Sequence, residues 1–251
     1  MKNANRIKAK RLIIFVLFFS TLIHSIAYGQ EEQIKIGILA LRGAEETMER
    51  WTPTAEYLSA QIPEYQFIII PLDFEEIYSA TERGEVDFVL ANSSIYVELE
   101  YKYGVGRIVT LQDLWQGQAY DEFGGVIFTR KDRKDINNLD DLKNKSFMAV
   151  HETSFGGWRM TQREFKGYGI NPYQDFAEMQ FGGTHDNVVY AVQEGLVDAG
   201  TVRTGILERM DEEGKIDIAD FRVLDEQYPK RFSLLVSTRL YPEWPLARVK
   251  H

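Results

Sequence analysis

Short apolar runs alternate with amphipathic stretches along almost the whole chain. "IKIGILA" (34–40), "QFIIIP" (66–71) and "VDFVLA" (86–91) are β-branched and apolar on both faces, the pattern of buried strands. Between and after them, "DFEEIYSATERG" (73–84) and "SSIYVELEYKYG" (93–104) carry helical spacing and end on Gly84 and Gly104. Trp51, Ala55 and Leu58 mark a further helix, which Pro53 is expected to break, with Thr52-Pro53 opening a new one. "RIVTLQ" and "GGVIFTRK" add strands.

A second series follows the same plan. "SFMAV" (146–150) predicts a strand, and 156–167 a helix ending at Gly169. "FAEMQF" is the next strand; "HDNVVYAVQEG" (185–195) is a helix with Val188, Val189 and Val192 inward and Gly195 beyond its end. "VDAGTV", the helix "RTGILERMDEEG" and the strands "FRVLDE" and "RFSLLVST" close the series, and "LYPEWPLARVKH" has the look of a starting helix. Strands separated by single helices imply parallel sheets covered on both faces, an α/β architecture. The expected organisation is a first lobe over 30–119 completed by 222–251, and a second over 120–221. Two crossings near 115–123 and 221–226, without a flexible linker, predict a hinged and closely coupled pair.

The amino terminus stands apart. Lys2, Arg6, Lys8, Lys10 and Arg11 precede "LIIFVLFFSTLI", and "AYG" puts small residues before Gln30. This is the pattern of a secretory signal over 1–29, too short in its apolar part for a membrane span. Its removal takes five basic and no acidic residues, leaving 24 basic against 38 acidic and a net charge of −14. Such a surface repels nucleic acid and anionic lipid, so an anionic ligand must be held by a local site. Without cysteine there are no disulfides, thiol nucleophiles or thiolate metal sites, and His151, His185 and His251 are too few for a histidine-rich metal centre. No cofactor is implied.

In open α/β sheets ligands bind beyond the carboxyl ends of the strands, where each strand passes to its helix. Those junctions here are "ALRG", "ANSSIY", "HETSFGG", "GGTHD" and "TVRTG". They place Arg42, Tyr96, Thr153, Ser154, Gly156, Gly157, Trp158, His185 and Arg203 as candidate ligand residues. "TSFGG" opens a helix, where free N–H groups, hydroxyls and close backbone approach make an anion cradle; a plain N-cap with a glycine-rich turn would produce the same string. Arg42 and Arg203 can each grip an oxyanion with paired bonds, Tyr96 and Trp158 can wall the cleft, and His185 can donate. A Ser154–His185–Asp186 triad is not expected. Ser154 is outside a nucleophile elbow, and neighbouring residues do not align as base and orienter. The chain is read as a non-enzyme.

"SFGGW", "FGGTHDNVVYAVQEGLVDAGTVRTGILERM", "FGGVIFTR" and "LYPEWP" resemble the phosphonate-binding-protein-like family of periplasmic domains, above all the versions fused to bacterial sensor histidine kinases. The resemblance covers about 34–248. It implies a type II periplasmic-binding fold with a small anion between two lobes. Transport relatives bind phosphonate, phosphite or phosphate; sensor relatives include receptors for tetrathionate and thiosulfate. It supports Arg42, Tyr96, Ser154, Gly156, Gly157, His185 and Arg203 as cleft residues. Sensor relatives often carry Asn-Pro-Gly-His before the tyrosine, where this chain has Asn92, Ser93, Ser94 and Ile95. The implied role is the periplasmic input domain of a sensor kinase recognising a sulfur oxyanion. The alternative is a free-standing binding protein for an ABC permease. Contact with the membrane would come only through such a partner or a further C-terminal region.

Overall fold

The computed structural model describes residues 32–250, so the expected signal segment 1–29 lies outside the described residues. Two five-stranded sheets, each flanked by helices, form the molecule. In the first, Glu32–Leu39 lies parallel between Tyr65–Leu72 and Phe88–Leu90. The apolar runs are buried as their composition demands, with Ile36, Ile38, Leu39, Val89 and Leu90 in the core under Ile77, Ile95 and Leu99 of the covering helices. In the second, Ser146–Ala149 lies parallel between Glu178–Phe181 and Ala199–Arg203, packed by Phe147, Trp158, Phe165 and Phe176.

Neither sheet is purely parallel. Gly125–Arg130 runs antiparallel between Ala199–Arg203 and Phe221–Leu224. In the first sheet Pro245–Arg248 inserts antiparallel between Phe88–Leu90 and Gly106–Thr110. The C-terminal "PLAR" is therefore a sheet strand, not the expected helix start. Alternating exposure, with Ala247 buried and Arg248 outward, suits a strand. Phe221–Leu224 belongs to the second sheet, so the return crossing begins after Leu224.

Three further differences from the sequence pattern have local causes. Ala44–Gln61 is one helix running through Pro53, whose side chain faces solvent where a slight bend costs little. The run 231–238 forms no ladder: Ser237 and Thr238 hydroxyls accept the backbone N–H groups of Ile127 and Gly125 in place of a partner strand. The helix expected over 156–167 begins as a π-turn, Phe155–Arg159, before Met160–Gly167 continues as α-helix. Between the sheets, Asp113–Trp115 and Gln118–Tyr120 form a hairpin, and Glu122–Phe123 pairs with Tyr241–Pro242 where the two crossings run side by side.

Candidate functional site

Where the two lobes meet, a cavity of about 30 Å³ is lined from both sides. The first lobe contributes Arg42, Glu46, Thr47, Arg50 and Trp51; the second contributes Arg203, Thr204, Ile206 and Arg209; Asp113 and Trp244 come from the connecting segments. Local structure explains the convergence. Arg50 sits in the helix Ala44–Gln61, Arg203 ends the strand Ala199–Arg203, and Gly205, at φ 82°, turns the chain into the helix Ile206–Glu212 that carries Arg209. The left-handed φ at that turn is why a glycine stands there.

Three guanidinium groups surround one carboxylate. Arg50 Nη2 donates to Asp113 Oδ1 at 2.9 Å, and Arg209 Nη2 reaches both Asp113 oxygens at 2.8 Å. Arg203 Nη2 lies 3.7 Å from Asp113 Oδ2 and donates to Glu243 Oε1 at 2.5 Å. Burial alone would push the Asp113 carboxyl up, but Arg203, Arg209 and Arg50 outweigh it and hold it below the usual range. Glu243 is raised, because its burial outweighs the attraction of Arg203. Each arginine also lies near an indole: Arg50 over Trp51 at 5.7 Å, Arg209 over Trp115 at 5.3 Å, Arg203 over Trp244 at 5.6 Å. Trp244 is only 4% exposed, and its indole N–H is buried with no hydrogen-bond partner.

At the mouth, Arg42 bolts the lobes together. Its Nε and Nη2 donate to Asp186 at 2.7 and 2.9 Å, and Nη1 and Nη2 to Glu213 at 2.7 Å each. Glu46 adds a contact at 3.3 Å, and Lys215 bridges to Glu213 at 2.9 Å. The bond from Arg42 is the main cause that holds the Glu213 carboxyl down to about 2. The Leu41 carbonyl accepts from His185 N at 3.1 Å beside this cluster. On another part of the lobe boundary His151 stacks on Phe74 and its Nε2 lies 3.3 Å from Glu75, while Arg159 approaches Glu98 at 3.7 Å.

The sequence-predicted residues divide accordingly. Arg42 and Arg203 both line the cavity, but Arg42 has its guanidinium committed to carboxylates. His185 lies behind Arg203: its Nδ1 accepts the Arg203 N–H at 3.2 Å, which places the proton of the neutral ring on Nε2. Burial, then Arg203 and Arg42, keep its pKa well below the ordinary value. Ser154 caps the π-turn by accepting from Gly157 N at 3.2 Å, and Thr153 N–H donates to His151. Tyr96 turns its hydroxyl to Glu100, and Ser93 donates to the Pro242 carbonyl in the paired crossing. Trp158 is not a cleft wall: it is 1% exposed in the core of the second lobe, edge-on to Tyr173 and Phe181. Gly156 and Gly157 are glycines for packing rather than for close ligand approach. A Cβ on Gly156 would lie 2.7 Å from Arg203 Cβ and 3.1 Å from the Gly124 carbonyl, and one on Gly157 2.5 Å from Val150. The turn is thus pressed against the strand that ends in Arg203.

Sequence reading missed Arg50, Arg209, Asp113, Glu243, Trp51 and Trp244. Arg50 and Arg209 lie within helices and not at their starts, and Asp113, Glu243 and Trp244 lie in crossing segments that no strand-end rule singles out. One signal was available: two of the four tryptophans adjoin a charged residue of the cluster, as Arg50-Trp51 and Glu243-Trp244. Among the described residues no group of three His, Asp or Glu is placed to hold a metal ion, and no helix is long and apolar enough to cross a membrane.

Comparison with known proteins agrees with this architecture. The family model described as "ABC transporter, phosphonate, periplasmic substrate-binding protein" matches residues 36–251. The tetrathionate sensor histidine kinase TtrS of Salmonella typhimurium is 36% identical over 213 residues, 84% of this chain; the chain spans only 36% of that relative's length. Among solved structures, a binding protein component of an ABC phosphonate transporter from Pseudomonas aeruginosa superposes with a TM-score of 0.73 at 18% identity, covering 88% of this chain and 70% of that one. PhnD1 from Prochlorococcus marinus, in complex with methylphosphonate, gives 0.71 at 17% identity over 87% and 77%. These last two likenesses speak to the fold, a pair of α/β lobes of the periplasmic-binding type.

Proposed function

The chain belongs to the family of periplasmic substrate-binding proteins of phosphonate ABC transporters, and from that premise we propose that it is a non-enzymatic receptor domain that binds a small oxyanion between its lobes. The observation that carries this reading is the convergence of Arg50, Arg203 and Arg209 from both lobes on one cavity. Each uses its Nη2 on Asp113 or Glu243, and their Nε and Nη1 groups have no acceptor among the described residues. Three guanidinium groups face two carboxylates there, an excess of positive charge in a strongly acidic chain that an anion can fill. Hydrogen bonds to charged groups at about 1.5–3 kcal/mol each reach micromolar affinity with three or four contacts.

We favour a sulfur oxyanion and the role of input domain for a sensor kinase, acting in the periplasm. The support is the 36% identity to a tetrathionate sensor kinase. Aromatic rings beside each arginine also suit anions that are less strongly hydrated than phosphate. A competition series with tetrathionate, thiosulfate, sulfite, phosphate, phosphite and methylphosphonate tests the choice. Arg203→Ala and Arg209→Ala should each weaken the best binder by about 1.5–3 kcal/mol. Preference for phosphite or phosphonate over every sulfur anion would revive the second reading, a free-standing binding protein serving an ABC permease, which the family description favours. Binding indifferent to both arginines would remove the site.

A further inference from the structure

Away from the cleft, two charged stripes of opposite sign lie on different lobes. Arg159, Arg163 and Lys166 recur at helical spacing on the π-turn Phe155–Arg159 and the helix Met160–Gly167. With Gln162 and the segment 169–172 they line a groove of about 600 Å³ whose lining holds no carboxylate. Their own partners are sparse. Arg159 donates to the Glu152 carbonyl and lies 3.7 Å from Glu98, Arg163 lies 3.5 Å from Glu164, and Lys166 has no partner among the described residues. Asp175 and Asp225, just beyond the groove, are taken by the Asn171 N–H and the Tyr168 hydroxyl. The outer face of the helix Ala44–Gln61 is the counterpart. Glu45, Glu49 and Glu56 fall on one side of it, exposed and without a hydrogen bond or ion pair among the described residues. The only cation of that helix, Arg50, is taken by Asp113. Exposed apolar side chains edge both stripes: Met48 and Tyr57 the acidic one, Tyr168 and Tyr173 the basic one.

We propose that the groove along Met160–Gly167 is an interface whose occupant is the outer face of Ala44–Gln61 from a second copy of this chain. Charge complementarity carries the choice. Three unpaired carboxylates on one element match three under-paired cations on the other, and no ion pair joins the two stripes within one molecule. A helix is a convex ridge and the basic site is a groove, so the shapes also correspond. A bilayer fits less well, because Ile170 and Pro172 in the lining are buried and offer nothing to insert. The net negative charge of each copy opposes approach, but at about 0.15 M salt its field is screened beyond roughly 8 Å, and contact is decided locally. Exposed ion pairs are individually weak, so the association is modest and salt-dependent. It is independent of what the cavity binds.

The test is sedimentation velocity of the protein over a range of concentrations, with charge reversal and rescue. The parent should associate at about 50 mM salt and weaken by about tenfold or more at about 0.5 M. Arg163→Glu with Lys166→Glu makes both stripes acidic, and Glu49→Lys with Glu56→Lys makes both basic. Each double variant alone should associate about tenfold or more weakly than the parent. An equimolar mixture of the two should recover the parent's association, because every stripe again meets its opposite on the other variant. All four positions are exposed and none lines the cleft cavity, so circular dichroism and anion affinity should not change. A parent that stays monomeric at every concentration overturns the proposal, even if it binds an acidic peptide or phosphatidylglycerol vesicles, since the groove would then serve a foreign partner. Association indifferent to both reversals, or a mixture no better than either variant alone, overturns the pairing of these two stripes.

Discussion

Replacing Arg42 with alanine should open the cleft, and the structure sets the scale. The Arg42 side chain is 4% exposed, and its guanidinium makes two paired contacts across the lobes, to Asp186 and Glu213. Breaking a buried ion pair by removing one partner costs about 3–5 kcal/mol, mostly from the charge left behind. Here the carboxylates are partly wet, 16% and 32% exposed, and Lys215 remains 2.9 Å from Glu213 to offset part of the loss. About 2–3 kcal/mol is the reasonable figure, a shift of roughly 30- to 150-fold from closed toward open. Small-angle scattering of the ligand-free protein should show a larger radius of gyration for Arg42→Ala, and anion affinity should fall with it. A variant as compact as the parent but weaker in binding would mean that Arg42 contacts the ligand and does not latch the lobes. A variant unchanged in both would refute the latch. The same latch carries a pH signature. The Glu213 pKa is depressed to about 2 when the lobes are joined. Its contribution is therefore fully present above the ordinary glutamate value and is lost as pH falls through about 2. Compactness should be flat from pH 5 to 8 and decline only in acid.

Three more substitutions separate the roles assigned above. Gly156→Val forces a side chain against Arg203 Cβ and the Gly124 carbonyl; overpacking of about 1–3 kcal/mol should lower the melting temperature by roughly 2–10 °C, and an unchanged melt would show that the turn is not pressed on its strand. Trp158→Phe should lower stability by about 1–3 kcal/mol while leaving anion affinity untouched, since the indole lies in the second lobe's core; a selective loss of affinity would return Trp158 to the cleft. Asp113→Asn removes the carboxylate that competes for Arg50 and Arg209, so anion affinity should rise by about tenfold while the melting temperature falls from arginine repulsion; weaker binding would show that Asp113 positions the arginines for the ligand.

Much of the frame was legible in residue order. Apolar β-branched runs became the central strands, and Asn92 and Thr184 cap helices where the strand–helix junctions were read. Gly104 and Gly195 end helices in left-handed conformation, as their positions after amphipathic runs imply. Arg203 could be placed at the cleft because a strand's carboxyl end exposes whatever follows it. These features depend on neighbours within a few residues, and local sequence specifies them. The misreadings share the opposite property. "PLAR" is a strand because two other strands leave a gap for it, and 231–238 is irregular because hydroxyl groups took the place of a ladder.

The site shows the same division at a larger scale. From sequence alone follow two α/β units, an acidic chain without thiol chemistry, and a set of polar strand ends that an anion could use. Only the tertiary structure decides which polar groups meet. It draws Trp158 into the core because burying a large ring outweighs a place at the rim, and it ties Arg42 to Asp186 across 144 residues of chain. It also gathers Arg50, Asp113, Arg203, Arg209 and Glu243 from four separate segments into one charged cluster. Charge interactions act through space and carry no period along the chain, so no local pattern announces them; their partners are fixed only when packing has set the distances.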